Sequence, residues 1–268
     1  MSTTENITAW PDRLESQAQS TIINRVIVLN ETQSTQDAAA RACIGFPKDH
    51  PPTLVVASNQ TMGRGQRANN WFDASGRTLP CSLAIGPEFL NLNNPNFAAR
   101  AGLAALGAVQ KSAPNHRITI KWPNDIVVEV GDSDQRKIAG VLIEHSRDSI
   151  VIGIGINCTQ TESDFHPSIQ HSAISLHQLG SDVARIDLAC TLIDSLHHWF
   201  AVASEDEVRD HWKTNDALLG TTQKFIHNNT PHTGQVLSID PLKTIRMQTP
   251  EGEINLPVEQ SRLISEVN

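Results

Sequence analysis

The sequence predicts an α+β fold: a mixed, mainly antiparallel sheet with helices, followed by a small C-terminal β unit. Three observations carry this. Four strand-like segments, 117–121, 126–129, 136–144 and 150–156, follow one another without an intervening helix, and strands in direct succession pair antiparallel. An alanine-rich stretch from Asn96 to about Gln110 has high helix propensity. Its small residues Ala98, Ala101, Gly102 and Ala105 allow close packing on a sheet. Beyond Leu219-Gly220, short strand patterns near 222–227, 233–239, 243–249 and 253–258 alternate with turn residues, the spacing of a small barrel.

Thr3 to Asn6 is polar and expected to be disordered, and Pro11 to Gln19 can form a short helix. Residues 1–20 are therefore read as a flexible extension, 21–219 as the main domain and 220–268 as the terminal unit. Ile22 to Leu29 is apolar and β-branched, a strand. Ser34 or Thr35 caps a helix that runs through Ala42. Thr53 to Ala57 is a strand that delivers a polar loop, Gln60 to Trp71. Leu79 to Ile85 is the next strand, and Pro80 within it implies an edge or a bulge. Asn96 caps the alanine-rich helix. Cys158 to Ala173 is polar and expected to be mobile. Asp187 to Ala203 and Glu205 to Leu218 are helices, the first with a core-facing stripe of Leu188, Leu192, Leu196 and Trp199.

Composition excludes several classes. With 21 Lys and Arg against 29 Asp and Glu, the net charge is -8, which argues against a general nucleic-acid surface. No apolar run reaches the ~20 residues that cross a bilayer, and no signal-peptide core opens the chain. The four cysteines are widely spaced with no C-x-x-C, so a cytoplasmic setting is expected. Histidines 166, 171 and 177 lack metal-ligand spacing, and no permanently bound metal is expected.

Two segments carry chemistry. Lys121-Trp122-Pro123-Asn124-Asp125 places a cation, an aromatic, a rigid turn residue and two oxygen ligands between two strands. Pro123 fixes its own φ and favours an extended Trp122. As plain hairpin chemistry the segment would be unremarkable. Gly63-Arg64-Gly65-Gln66-Arg67 combines close backbone approach with rigid guanidinium donors suited to an anion. It is not a P-loop, and Gly153-Ile154-Gly155-Ile156-Asn157 lacks the third glycine of a dinucleotide fingerprint.

Together these segments resemble the biotin protein ligases, the biotin–[acetyl-CoA carboxylase] ligases. Ser34-Thr35-Gln36, Gln60 through Trp71, Lys121 to Asp125, Arg136-Lys137-Ile138-Ala139-Gly140 and Val151 through Asn157 occur in the family's order. The resemblance runs from about Ile27 to near the C-terminus. Each piece alone is weak, and the combination is specific. The resemblance implies a class II aminoacyl-tRNA-synthetase-like catalytic domain with an SH3-like C-terminal barrel. It implies a ligase that activates biotin with ATP as biotinyl-5'-AMP and transfers it to a lysine of a biotin carboxyl carrier protein. Mg²⁺ would accompany ATP, with Asn124 and Asp125 as candidate ligands.

The resemblance also implies roles. Lys121 and Arg64 are the catalytic candidates. Ser34, Thr35, Gln36, Gln60, Gly63, Arg64, Gly65, Gln66, Lys121, Gly140, Gly153 and Gly155 are expected on the biotin side, with Leu142 and Ile154 as apolar walls. Arg64, Arg67, Trp71, Asn124, Lys137 and Asn157 are expected on the ATP side. Closure of the Gly63–Trp71 loop would keep water from the mixed anhydride. Three positions depart from the family. Gln66 stands where arginine is usual, Gln36 where asparagine is common, and Pro80 is unusual in its strand. The family's N-terminal winged helix-turn-helix is expected to be absent, and with it any nucleic-acid partner. No membrane partner is expected, and the chain is expected to be a monomer or weak homodimer. Two alternatives remain open: a lipoate–protein ligase of the same superfamily, and a non-catalytic biotin sensor.

Overall fold

The computed structural model describes residues 7–66, 69–73, 76–89, 97–131 and 134–264. The strands are β1 (Arg25–Thr32), β2 (Thr53–Gln60), β3 (Gly63–Arg64), β4 (Asn70–Trp71), β5 (Thr78–Ile85), β6 (Ile118–Lys121), β7 (Asp125–Val130), β8 (Asp134–His145), β9 (Ile150–Asn157), β10 (Thr222–His227), β11 (Thr230–Asp240), β12 (Thr244–Thr249), β13 (Gly252–Pro257) and β14 (Ser261–Leu263). The helices are α1 (Trp10–Ala18), α2 (Thr35–Ala42), α3 (Phe97–Ser112), α4 (Arg185–His197) and α5 (Glu205–Asn215). The fold is α+β, as expected.

Seven strands form the main sheet in the order β1-β2-β5-β9-β8-β7-β6. The β1–β2 pair is parallel and the rest are antiparallel. One face is covered by α3, which packs on β6, β7, β8 and β9, with α1, α4 and α5 around it. This layer holds the principal core, in which Leu103, Leu106, Ile120, Ile126 and Ile152 are at most 2% exposed. The other face is covered only in part. Helix α2 packs there over β2, β5 and β9, burying Ala39, Cys43, Val55, Ala84 and Val151. The remainder of that face is free to form a cleft. A second, five-stranded antiparallel sheet follows, in the order β13-β12-β11-β10-β14. Among the described residues no helix is long and apolar enough to cross a membrane.

Several expectations are corrected. Residues 1–20 are not all a loose extension: Trp10, Leu14 and Ala18 of α1 are buried, and the helix packs on α4 and β1. Thr3 to Asn6 and the Asn96 cap lie outside the described residues. Pro80 is not on an edge strand, since β5 lies between β2 and β9. Pairing of β2 with β5 ends at Val56↔Cys81, so Pro80 faces no β2 partner and its missing N–H costs no ladder bond. Cys158 to Ala173 is a defined segment. A 3-10 turn, Glu162–Asp164, has a capping box from Thr161, and Arg77 pairs with Asp164 at 2.7 Å. The helix expected from Asp187 to Ala203 changes at His198–Val202 to a π-turn.

Candidate functional site

Strand periodicity builds the floor of the cleft. Side chains alternate between faces along a strand, so Gly153 and Gly155 of β9 point the same way. Register sets Pro80 and Gly140 opposite Gly155, and Ser82 and Leu142 opposite Gly153. Three adjacent strands thus present small residues in rows on the open face. Larger side chains at these glycines would displace what lies over them. A Cβ on Gly155 would fall 2.5 Å from the Trp71 indole, one on Gly140 2.8 Å from Lys137 Nζ, and one on Gly153 2.9 Å from the Gln36 amide.

A narrow, partly open cleft lies above this floor. Ser34, Thr35 and Gln36 at the start of α2 line one side, with Gln60 at the end of β2. Arg64, Gly65, Gln66 and Trp71 cover it. Asn124, Lys137, Gly140, Val141 and Leu142 close the far side, and Pro80, Gly153 and Gly155 complete the floor, while Cys81 and Ile154, the latter expected as an apolar wall, border it by backbone with side chains in the principal core. The short β3–β4 hairpin folds the covering loop back on itself, pairing Gly63 with Trp71 and Arg64 with Asn70. Gly63 is confined there, since a Cβ would sit 2.4 Å from the Trp71 carbonyl and 2.5 Å from Gln60 Nε2.

Polar groups within the cleft fall into two sets. In the first, hydrogen bonds are already made. Gln60 Oε1 accepts from the Thr35 backbone N–H (2.8 Å) and hydroxyl (3.1 Å), and Ser82 donates to Thr35 Oγ1 (2.8 Å). In the second, buried groups have no partner among the described residues: Ser34 Oγ, Gln36 Oε1 and Trp71 Nε1. Ser34 occupies the N-cap position of α2, yet its side chain makes no capping bond. Buried polar groups are ordinarily paired, so three orphans around one cleft mark a place for a polar ligand.

The cations are arranged otherwise than the sequence suggests. Lys121 does not line the cleft. It ends β6 and pairs in register with Asp125. Lys137, expected on the ATP side, lines the cleft. Its Nζ lies 2.5 Å from Asp125 Oδ1 and 5.6 Å from the Trp71 ring centroid. Its backbone is held on both sides by the 158–173 segment and the residue beyond it: Lys137 N–H donates to Ser172 O (2.7 Å) and Ile174 N–H to Lys137 O (2.9 Å). Arg64 does line the cleft, but its fork is engaged by Asp37 (2.8 Å) and Glu144 (2.8 and 3.3 Å). These carboxylates raise the guanidinium pKa, and Arg64 lowers that of Asp37. Glu144 also accepts from Gln36 Nε2 at 3.1 Å, so it ties the covering loop to α2. Neither Asp37 nor Glu144 stood out in the sequence, because acidic residues on a helix and a strand carry no motif.

Other expected residues are placed as follows. Asn124 lines the cleft, but its Nδ2 donates to Val141 O at 2.6 Å. Asp125 is committed to Lys137. That donor set does not fit a protein-held Mg²⁺, and among the described residues no group of three His, Cys, Asp or Glu could hold a metal. Asn157 does not line the cleft. Its amide bridges Lys137 O, Ile174 O and Gln160 at 3.0–3.3 Å. Gly63 lies in a depression just outside, and Arg67 is outside the described residues. Trp122, at 7% exposure, packs on Phe225 of β10 with ring centroids 5.6 Å apart. Cys81 is buried, which pushes its thiol up to about 12 and keeps it protonated.

Residues 28–160 match the model of the biotin/lipoate A/B protein ligase family. A bifunctional ligase/repressor of Bacillus subtilis is 29% identical over 241 residues, 84% of this chain and 69% of that protein. A biotin–[acetyl-CoA-carboxylase] ligase of Mycobacterium tuberculosis is 31% identical over 159 residues, 57% of this chain and 55% of its own. The structure of a biotin protein ligase from Aquifex aeolicus in complex with biotin and ATP has a TM-score of 0.75 at 23% identity, covering 91% of this chain and 100% of that one. It shares the fold.

Proposed function

We propose, from the match of residues 28–160 to the biotin/lipoate A/B protein ligase family, that the chain is an ATP-dependent biotin ligase acting on a biotin carboxyl carrier protein. One observation carries the choice of substrate. The orphaned Ser34 Oγ, Gln36 Oε1 and Trp71 Nε1 offer both donors and acceptors beside an apolar, glycine-floored slot. A ureido ring with an aliphatic tail needs that combination. The dithiolane of lipoate has no use for three convergent polar groups.

Two steps follow. The biotin carboxylate attacks the α-phosphorus of ATP, the bond to pyrophosphate breaks, and biotinyl-5'-AMP forms. A neutral lysine amine of the carrier then attacks the acyl carbon, AMP leaves, and an amide results with loss of the amine proton. The first step brings two anions together. At ~4 Å and an effective dielectric of ~20, two unit charges repel by about 4 kcal/mol. Lys137 is the cation positioned to offset this repulsion and to stabilise the charge that builds on the phosphate. Lys121 does not line the cleft. Arg64 acts by holding the covering loop onto α2 and β8, and Trp71 then lies over the floor and excludes water.

The experiment is incorporation of labelled biotin into a carboxylase carrier domain, together with pyrophosphate exchange driven by biotin or by lipoate. Exchange with biotin plus transfer to the carrier is expected. Exchange with lipoate alone would assign the lipoate reaction, and biotin binding without exchange would leave a sensor.

A further inference from the structure

Two residues after Trp71 stands Asp73, a partly buried acid that no motif includes. Its two carboxylate oxygens hold two different strands. Oδ2 accepts the backbone N–H of Gln60 at 2.8 Å, at the end of β2, and Oδ1 accepts the hydroxyl of Thr78, at the start of β5. These contacts come where the sheet opens. Pairing of β2 with β5 stops at Val56, so Gln60 has no β5 neighbour and Asp73 takes the place of the missing strand partner. Behind it, the Arg185 guanidinium donates to the carbonyls of Ser58 and Thr78. Burial raises the pKa of Asp73, opposed by the Thr78 and Gln60 donors and by the charge of Arg185.

Gln60 passes this anchoring on. Its Oε1 receives both donors of Thr35, and Thr35 Oγ1 receives Ser82 from the floor. Asp73 thus fixes the Gln60 backbone at the root of the covering loop, and the Gln60 side chain in turn holds Thr35, which receives Ser82 from the floor. Resting on the reading that the cleft takes biotin, we propose that Asp73 is a positioning residue for the biotin site, holding Gln60 and the loop root in place without touching the ligand.

The test is equilibrium binding of biotin to the full chain by calorimetry, with ATP binding measured in parallel. Asp73→Ala is expected to weaken biotin about tenfold, the loss of a hydrogen bond to a charged acceptor, with ATP affinity changed less than about twofold. Asp73→Asn should bind biotin within about threefold of wild type, because its carbonyl still accepts from Gln60 and its amide can donate to the Thr78 hydroxyl oxygen. If Asp73 acts through Gln60, Asp73→Ala should add less than about twofold in a Gln60→Ala background, the non-additivity of coupled residues. Unchanged biotin binding in Asp73→Ala, or full additivity with Gln60→Ala, would overturn the proposal. Failure of the wild type to bind biotin would overturn the reading of the cleft itself. Should Asp73→Ala not fold, Thr78→Val removes one of the two anchors. It is expected to weaken biotin about threefold and to be silent in the Gln60→Ala background, and additivity there would also overturn the proposal.

Discussion

Two short segments each bring a lysine to this protein, and they do opposite work. The first, Lys121 to Asp125, is the denser motif. The second, Arg136 to Gly140, looks like an ordinary strand with a basic start. In the structure the first is mostly scaffold. Trp122 packs against Phe225 of the C-terminal sheet, Asn124 clamps Val141, and Asp125 holds Lys137. The second supplies the cation that lines the cleft and the glycine beneath it. A motif rich in functional groups can thus exist to aim a residue elsewhere. The register shift between Ile126 and Val127 shows that the β7–β8 pairing on which this aim depends is itself irregular.

The sharpest way to break this contrast is to remove its scaffold half. Trp122→Ala should destabilise the protein by about 3–5 kcal/mol, the usual cost of truncating a buried aromatic, read as a lower denaturant midpoint. Pyrophosphate exchange well below that midpoint should stay within about threefold of wild type. A large activity loss in the folded variant would put Trp122 in the site.

The paired lysine substitutions come next. Lys137→Ala should lower the rate of adenylate formation about 10²–10³-fold, as for loss of one transition-state charge stabiliser, with little change in unfolding midpoint. Lys121→Ala should cost less than about threefold, in line with surface substitutions. The reverse pattern would return the chemistry to Lys121.

Gln66 sharpens the comparison from across the cleft. It lines the cavity as a neutral side chain, where the family resemblance leads one to expect arginine. Gln66→Arg should slow release of biotinyl-5'-AMP, measured without carrier, by about tenfold, since a charged hydrogen bond contributes roughly 1.5–3 kcal/mol. Equal release rates would show that backbone amides and Lys137 already hold the intermediate.

The smallest effect concerns Asp216, which bridges to Ile120 beside the scaffold turn. Burial raises its pKa from 3.8 to about 6, only partly opposed by the Leu218 N–H. Between those values the folded state holds a proton that the unfolded state releases. Stability from this group is therefore full below the lower value and declines as pH rises through about 6. Asp216→Asn should raise stability at pH 8 by about 1 kcal/mol and leave it nearly unchanged at pH 4. A pH-independent difference between the two proteins would remove the titration of Asp216 as its cause.

The class of fold, most strand positions and the residue types of the cleft were legible in the amino-acid order alone. Alternation and turn chemistry are local: Ile118 to Ile120, Gly153 to Gly155 and Asp240-Pro241 each declare their conformation within a few residues. The family resemblance then placed Ser34, Thr35, Gln36, Gln60 and Gln66 on one surface, and the fold does bring them together. What only the tertiary structure decided was which donors remain free. Ser34 keeps an unpaired hydroxyl while Thr35 is saturated, and Arg64 is taken by Asp37 and Glu144. The same holds for Lys137 and not Lys121 lining the cleft, for Pro80 within a central strand, and for Trp10 and Leu14 in a segment that reads as a loose end. Each of these depends on a partner far along the chain, brought close by strand register and layer packing, and no local pattern of apolar and polar residues encodes that partner.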